Sequence, residues 1–344
     1  MIKRHVTLKQ VATSAGVSYQ TVSKVLNRQI QVSKETEDRI WQAAQTLGYR
    51  PSFVARSLRT QRAFTIGYSW PPSAPAQENI VLDQFLQSMF LAAEERGYYL
   101  LCFPYHADIK KHLASYHELI ETRRVDGFIL SSVEYDDPRV QLLMESNFPF
   151  VAFGRSNPDL LFPWIDVDGG QGIRESMLHL LDEGHRKVAA LAWPLDSRVG
   201  NNRMEGYFSA LQEAGITPDA EWVKRGNGVF EFGYQAMLEL LDLATDCRPT
   251  AVIALNDMMA LGACQAIKDR GGVVGRDIAV SGFDDAPLVQ YTDPPLTTLR
   301  QPITEIGQRI IAMLMEYINT GNLPMNPNVL VAPQLIVRKS TVDR

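Results

Sequence analysis

The first fifty residues carry helical periodicity in three short stretches separated by turn residues. Thr7 with Gln10 has the form of a capping box at a helix start, and Gly16 suits the end of that helix. Ser18 and Ser33 are suitable N-caps for two further helices. The apolar positions expected to face inward recur at intervals of three and four: Leu8, Val11, Ala12, Ala15, Val22, Val25, Leu26, Ile40, Ala43, Ala44 and Leu47. Two short helices joined by a glycine turn, with a third packed across them, make a helix-turn-helix unit.

From Phe64 onward, short apolar runs alternate with amphipathic stretches. Strands are predicted over 65–70, 99–103, 127–131, 150–153, 188–192, 251–254 and 278–282. Helices are predicted over 83–96, 172–183, 203–214, 232–242, 258–270 and 303–320. This alternation predicts a parallel, doubly wound α/β sheet, and the chain is long enough for two such lobes. Ligands of these sheets bind beyond the carboxyl ends of the strands.

The predicted organisation is an all-α helix-turn-helix head over 1–50, a hinge helix over 51–62 and a bilobal α/β body over 63–344. The first lobe is expected to span about 63–163 and 296–325, and the second about 164–295 and 326–344. Pro51 fits the first turn of a helix, but the two turns that follow are too few to be stable alone in water. The segment is therefore either a plain interdomain linker or a helix that needs a partner to fold.

The charge is divided unevenly between head and body. Residues 1–62 hold eleven Lys and Arg against three Asp and Glu, a net charge of +8, while the remainder holds 23 against 36, a net charge of −13. A compact basic head on an acidic body is typical of a protein that binds a polyanion such as nucleic acid. A basic terminus that is merely solvated is the alternative.

Several classes of protein are disfavoured by what the sequence lacks. It has no apolar run long enough for a membrane span and no signal-peptide pattern at its N-terminus, so a cytoplasmic protein without membrane contact is expected. The three cysteines are widely spaced and odd in number, which fits reduced thiols better than disulfides or a zinc site. Phosphate-loop, dinucleotide, nucleophile-elbow and zinc-protease motifs are absent, so neither an enzyme nor a cofactor is expected. A secreted sugar-binding protein, whose body would look alike, is disfavoured by the basic head.

The second predicted helix carries side chains suited to reading DNA. Its outward face would present Tyr19, Gln20, Ser23, Lys24 and Asn27. Gln20 can pair with adenine through two hydrogen bonds and Lys24 can donate to guanine. Phosphates are suited to short hydroxyl and amide groups such as those of Thr7, Thr21, Ser23, Asn27 and Ser33. A three-helix bundle with a polar surface and no DNA partner is the alternative.

The segment from Thr7 to Asn27, TLKQVATSAGVSYQTVSKVLN, resembles the DNA-binding signature of the lactose-repressor (LacI/GalR) family. The resemblance continues without gaps through Leu47-Gly-Tyr-Arg-Pro51 and Ala55-Arg-Ser-Leu58. It implies that Tyr19, Gln20 and Lys24 read the major groove, although many relatives carry Arg at the position of Lys24, and Lys lacks its planar fork. The full set of DNA-contacting residues implied is Thr7, Leu8, Ser18, Tyr19, Gln20, Thr21, Ser23, Lys24, Asn27, Ser33, Thr36, Tyr49, Ser52, Ala55 and Leu58.

For the hinge, the resemblance implies a helix that folds only on DNA beside its twofold mate. Leu58 would wedge between base steps in the minor groove and kink the duplex, and Ala55 would permit the close approach. The partners expected are therefore operator DNA and a second copy of the chain. A dimer is favoured over a tetramer because no leucine-heptad tail follows the body.

The body resembles the same family and, in fold, the periplasmic sugar-binding proteins. The matching loops are GHRKV at 184–188, NDMMALG at 256–262, VSGFDD at 280–285 and PLTTL at 295–299. By resemblance, Arg203, Asn256 and Asp284 fall where family members contact a small-molecule effector, here expected to be a mono- or oligosaccharide. Each has a local alternative: Asn256 as a helix cap and Asp284 as a turn residue.

Two positions depart from the sugar-binding relatives. Gly154 stands where some carry Asp, so Arg155 is expected to supply the polar contact. Gly228 stands where some place a stacking aromatic, so Phe230 is expected to replace it. Trp70 and Trp164 are further candidates for stacking on a sugar, with a core position as the alternative for each. The sequence thus predicts a DNA-binding regulator, expected to be a repressor, controlled by an effector whose identity stays open.

Overall fold

The computed structural model describes residues 6–26, 30–49, 57, 60–70 and 80–342. The chain divides into two compact units, Met1–Ala63 and Phe64–Arg344. Four of the predicted DNA-contacting residues lie outside the described residues: Asn27, Ser52, Ala55 and Leu58.

The first unit contains the three predicted helices, α1 (Leu8–Ala15), α2 (Tyr19–Leu26) and α3 (Lys34–Leu47). Thr7 and Gln10 form a reciprocal capping box at the start of α1. At the start of α2, the hydroxyl of Ser18 accepts a hydrogen bond from the backbone N–H of Thr21 at 3.0 Å. Ser33 caps α3 in the same way. The sequence therefore fixes each helix start through a side chain that satisfies an otherwise unpaired N–H group.

The core of this unit is small. Its fully buried residues are Val11, Ala12, Ala15, Val22, Val25, Ile40, Ala43 and Ala44. Leu8 and Leu26 pack against them while remaining partly exposed. The prediction that Leu47 faces inward is wrong, since 36% of its surface is exposed. Leu47 is the last residue of α3, beyond the turn in which Ala43 and Ala44 meet the other helices.

The second unit alternates strands with helices along most of its length. Its strands are β1 (Thr65–Trp70), β2 (Tyr99–Pro104), β3 (Gly127–Leu130), β4 (Phe150–Phe153), β5 (Trp164–Val167), β6 (Val188–Ala192), β7 (Val223–Arg225), β8 (Ala251–Ala254), β9 (Ala279–Ser281), β10 (Thr298–Arg300), β11 (Asn328–Val331) and β12 (Gln334–Ile336). Its helices are α4 (Ile80–Glu94), α5 (Ile109–Glu121), α6 (Pro138–Glu145), α7 (Gly169–Asp182), α8 (Arg198–Glu213), α9 (Phe230–Leu241), α10 (Asp257–Asp269), α11 (Ile303–Thr320) and α12 (Lys339–Val342).

Two parallel sheets define two lobes, as the alternating pattern predicts. The first lobe is built on six strands in the order β11-β5-β4-β3-β1-β2, and the second on four in the order β7-β6-β8-β9. A separate antiparallel pair joins β10 to β12. Helix α11 packs on α4 of the first lobe, while α12 contacts β9 of the second. The chain therefore crosses between the lobes three times: after β5, between β10 and α11, and after β11.

The lobe boundaries differ from the prediction at two places. Residues 164–167 and 328–331 were expected in the second lobe, but β5 and β11 are strands of the first. The reason is strand pairing: β5 hydrogen-bonds to β4 on one side and to β11 on the other. Both crossovers consequently lie a few residues later in the chain than expected.

Helices α9 and α10 touch through their backbones. A Cβ atom added at Gly233 would lie 2.1 Å from the carbonyl oxygen of Met259, and one added at Gly262 would lie 2.1 Å from that of Phe230. Only glycine fits at this distance, because backbone atoms have no room to move aside. This contact holds the N-terminal ends of the two helices, with Phe230 and Asn256, close together.

Among the described residues, no helix is both long and apolar enough to span a bilayer.

Candidate effector cleft and nucleic-acid interface

A cleft of about 650 Å³ opens in the second unit at the carboxyl ends of strands from both lobes. Residues following β3 and β4 line it from the first lobe, and residues following β6, β8 and β9 line it from the second. This is where parallel sheets bind ligands, because loops from several strands converge there. The cleft includes Arg203, Asn256, Asp284 and Phe230, four of the seven residues predicted to contact an effector.

Arg203 is a buried cation on α8 whose guanidinium packs against aromatic rings. Its central carbon lies 3.4 Å from the ring centroid of Phe283, and Nη1 donates to the backbone carbonyl of Leu255. Nε is buried and has no hydrogen-bond partner among the described residues. Burial lowers the pKa of Arg203 to about 10, although Asp284, Asp166 and Asp257 all favour its charge. The group is thus positioned as a donor that the protein itself leaves unsatisfied.

Two carboxylates stand near Arg203 in the same cleft. Burial raises the pKa of Asp284 to about 6, although Arg203 and a 2.7 Å hydrogen bond from the Gln301 amide lower it. Burial and the neighbouring Asp284 raise the pKa of Asp257 as well. Asp257 accepts hydrogen bonds from the Thr298 hydroxyl at 2.6 Å and from a backbone N–H at 2.8 Å, so its role is structural. Asp284 has φ of 123°, a strained conformation that aims its carboxylate from a loop rather than an element.

Asn256 caps the N-terminus of α10, which is the alternative role that the sequence left open for it. Its side-chain oxygen accepts from the backbone N–H of Met259 at 2.8 Å, which caps α10. Its amide donates to the carbonyl of Gly228 at 2.8 Å. Asn256 lines the cleft, but the oxygen and one amide hydrogen are already used by the protein.

Arg155 is not among the described residues that line the cleft, because its guanidinium is hydrogen-bonded to two neighbouring side chains. Its Nε donates to Asp166 at 2.7 Å and its Nη2 donates to Asn202 at 3.1 Å. Asp166 and Asn202 do line the cleft, so Arg155 orients two lining residues instead of lining it. Gly154 lines the cleft with φ of 114°, a conformation in which a side chain such as Asp would be strained.

Neither predicted tryptophan is among the described residues that line the cleft. Trp164 begins β5, at the opposite end of the strand from the cleft, where the Arg155 guanidinium lies 5.5 Å from its ring. Trp70 ends β1 and borders a separate apolar hollow of about 310 Å³ against α4. Both rings pack against core clusters, as the alternative interpretation held.

The sequence analysis missed several residues of the cleft: Glu134, Phe153, Asp166, Trp193, Asn202 and Gln301. Glu134 accepts a hydrogen bond from the backbone N–H of Arg198 at 2.6 Å, which joins the two lobes at the rim of the cleft. Burial raises the pKa of Glu134. Trp193 directly follows β6, a strand predicted with its observed bounds, so its position at a strand's carboxyl end was the available signal.

In the first unit, α2 presents the predicted DNA-reading side chains to solvent. Tyr19 is 50% exposed, and Gln20 and Lys24 are exposed as well. Thr7, Ser18 and Ser33, predicted to contact DNA, cap the three helices and remain exposed. The other predicted contacts that the structure describes are partly buried: Leu8, Thr21, Ser23, Thr36 and Tyr49. Burial raises the pKa of Tyr49.

Known proteins match both units of the chain. Residues 7–52 match the bacterial regulatory proteins of the lacI family, and residues 177–341 match the periplasmic binding protein-like domain. The HTH-type transcriptional repressor PurR of Erwinia tasmaniensis is 35% identical over 340 residues, which cover 98% of this chain and 97% of that protein. The chain belongs to the LacI family. It is therefore a DNA-binding transcriptional regulator controlled by a small molecule, and not an enzyme.

Solved structures of LacI-family regulators agree with this fold. The lac repressor dimer bound to operator and the anti-inducer ONPF has a TM-score of 0.83 and 29% identity, covering 98% of this chain and 100% of that one. The regulator CelR of Thermobifida fusca is 33% identical over 98% of this chain and 99% of its own length. A CelR–cellobiose complex has a TM-score of 0.73 and 31% identity, covering 98% and 100% of the two chains. The fold class predicted from the sequence is confirmed.

Proposed function

We propose that this LacI-family regulator is a homodimeric repressor, acting in the cytoplasm, whose affinity for operator DNA is set by a neutral sugar bound in the cleft between its lobes. The observation that carries the choice of effector is the charge of the cleft. Arg203 is the one cation among its described lining residues, which include six carboxylates: Glu134, Asp166, Glu231, Asp257, Asp284 and Asp285. A phosphorylated or otherwise anionic effector would be repelled by these carboxylates.

A polyhydroxylated ligand suits the same residues for a second reason. Arg203 offers donors, the carboxylates offer acceptors, and the Asn202 and Gln301 amides offer both. A volume of about 650 Å³ is within the usual range for small-molecule sites. The CelR–cellobiose complex shows that a relative of this length and fold holds a disaccharide. We infer that the effector contacts are made by Arg203, Asp284 and Asp166.

The proposal predicts that a neutral sugar changes operator binding. Operator would first be selected from random duplexes by the full chain, and its dissociation constant measured by fluorescence anisotropy with and without cellobiose, lactose, glucose and glucose 6-phosphate. We expect at least one neutral sugar to shift that constant by about tenfold, a coupling of ~1.4 kcal/mol. Glucose 6-phosphate should have no effect. A response confined to the phosphorylated sugar would contradict the proposed effector class.

For the head, we predict that Gln20→Ala relaxes base preference at one position in each operator half-site. The expected loss of discrimination is about 1–3 kcal/mol, because a paired contact to adenine distinguishes it from the other bases. Selected sequences from the variant and the native chain would be compared position by position. Gln42→Ala, an exposed glutamine on α3, is the matched control and should leave the selected sequence unchanged. An identical consensus from Gln20→Ala would remove Gln20 from the reading surface.

A further inference from the structure

Trp193 is fixed at the floor of the cleft by contacts along its backbone and its ring. It follows β6 directly and lines the cleft while remaining half-buried. Its backbone carbonyl accepts a hydrogen bond from Arg225 Nη1 at 2.9 Å. Arg225 ends the neighbouring strand β7, so the loop that carries Trp193 is tied to the sheet edge.

The indole of Trp193 has room at its position because the residue beside it, Gly228, has no side chain. A Cβ atom added at Gly228 would lie 2.3 Å from Trp193 Nε1 and 2.9 Å from Asn256 Nδ2. Both distances are shorter than real Cβ contacts, so any side chain at 228 would displace the indole or the Asn256 amide. The indole edge is therefore packed against the Gly228 backbone.

The indole also stands beside the unsatisfied cation of the cleft. The Arg203 guanidinium carbon lies 5.2 Å from the Trp193 ring centroid and 3.4 Å from that of Phe283. A guanidinium over an aromatic face is held by cation–π attraction. The protein thus places a flat apolar surface next to a buried hydrogen-bond donor whose Nε lacks a partner among the described residues.

We infer that Trp193 is the platform on which the effector's sugar ring stacks, with Arg203 binding the hydroxyls at the ring's edge. The inference rests on the proposed function and deepens it, because it assigns the residue that recognises the ring. A pyranose has an apolar C–H face and a polar rim, and an aromatic ring beside a charged donor matches both. Phe230 also lines the cleft, but its ring runs nearly parallel to that of Tyr234 on the same helix, at 15° and 6.4 Å.

The test measures sugar binding to the full chain by isothermal titration calorimetry, with cellobiose, lactose and glucose as the probes. For the tightest of the three, we expect Trp193→Ala to raise the dissociation constant by at least about tenfold. Trp193→Phe keeps an aromatic face and should stay within about threefold of the native chain, and Phe230→Ala should fall short of the tenfold loss. Phe208→Ala is the matched control, since Phe208 is a 40% exposed ring of α8 that is not among the lining residues.

A second measurement does not depend on the alanine variant folding. The chain has five tryptophans, so the emission spectrum of the native protein minus that of Trp193→Phe isolates the contribution of Trp193. Saturating sugar should change this difference spectrum, because stacking alters the surroundings of the indole.

The outcomes separate the two proposals. If none of the three sugars binds the native chain, the neutral-sugar effector fails and the platform fails with it. If a sugar binds but Trp193→Ala costs less than tenfold, or the Trp193 emission does not respond, the platform is overturned while the proposed function stands. A greater loss in Phe230→Ala than in Trp193→Ala would assign stacking to Phe230 and also overturn the inference.

Discussion

Replacing Arg203 by lysine should weaken effector binding by about 10- to 100-fold although the positive charge is kept. The central carbon of the guanidinium lies 3.4 Å from the Phe283 ring centroid, Nη1 donates to Leu255, and the buried Nε has no partner among the described residues. Lysine has neither the planar face nor the forked donors, so the stacking and the directed hydrogen bonds are both lost. A hydrogen bond from a charged group is worth about 1.5–3 kcal/mol, which sets the expected range. Calorimetric titration with the sugar that binds the native chain measures it.

Arg174→Lys provides the comparison for this experiment. Arg174 forms an exposed ion pair with Glu213 at 2.5 Å and is not among the described lining residues. Sugar binding by that variant should match the native chain. Should Arg203→Lys also titrate normally, the planar geometry of Arg203 would have no part in recognition, and its burial would need another explanation.

Asp284→Asn should stabilise the protein at neutral pH while it weakens effector binding. The pKa of Asp284 is raised by burial to about 6 from an ordinary value of 3.8. The folded state therefore binds the proton more tightly than the unfolded state, and stability falls as the pH rises through this interval. Above pH 6 the buried carboxylate stays ionised at a cost that asparagine avoids, while the hydrogen bond from Gln301 can be kept. We expect a gain of about 1–3 kcal/mol at pH 7.5, since one pKa unit is worth about 1.4 kcal/mol.

The pH dependence distinguishes this explanation from a general effect of lost charge. The difference in free energy of unfolding between Asp284→Asn and the native chain should be near zero at pH 4 and grow up to about pH 6, as followed by thermal denaturation. Asp242→Asn removes an exposed carboxylate whose pKa Arg270 lowers, so it should bring no such gain. A constant difference across the pH range would show that the ionisation of Asp284 is not the cause.

Most of the strands found from the sequence are buried, although β2, which was also found, has mainly exposed or half-exposed residues. β1, β4, β6 and β8 have the predicted bounds, and the last three are continuous apolar runs. β5, β7 and β11 were not predicted, since they have three or four residues and exposed or half-exposed positions. Pairing with a distant strand makes them strands, and pairing cannot be read from local periodicity. The lobe boundaries were misplaced for the same reason, since they depend on the pairing of β5 and β11 with distant strands.

The residues of the cleft were also predicted only in part. Arg203, Asp284, Asn256 and Phe230 were located by resemblance to the family, and all four line the cleft. The assignment of Arg155 did not hold, because its direction depends on Asp166 and Asn202, which are 11 and 47 residues away. Trp193 was overlooked because its one signal, a position directly after β6, is shared by every residue that follows a strand of a parallel sheet. Its importance comes from Gly228, which only the folded chain brings beside it.

The three crossovers bear on when this protein can fold during its synthesis. The first lobe needs α11 and β11, and the second needs Ser340, whose hydroxyl donates to the Val280 carbonyl at 2.6 Å. Neither lobe can therefore be completed until almost the whole chain has left the ribosome. The three helices of the first unit pack on one another within the segment Leu8–Leu47, and contacts over such short stretches of chain form faster than long-range ones. In a nascent chain, the first unit should thus be folded while the second is still incomplete for lack of its last forty or so residues.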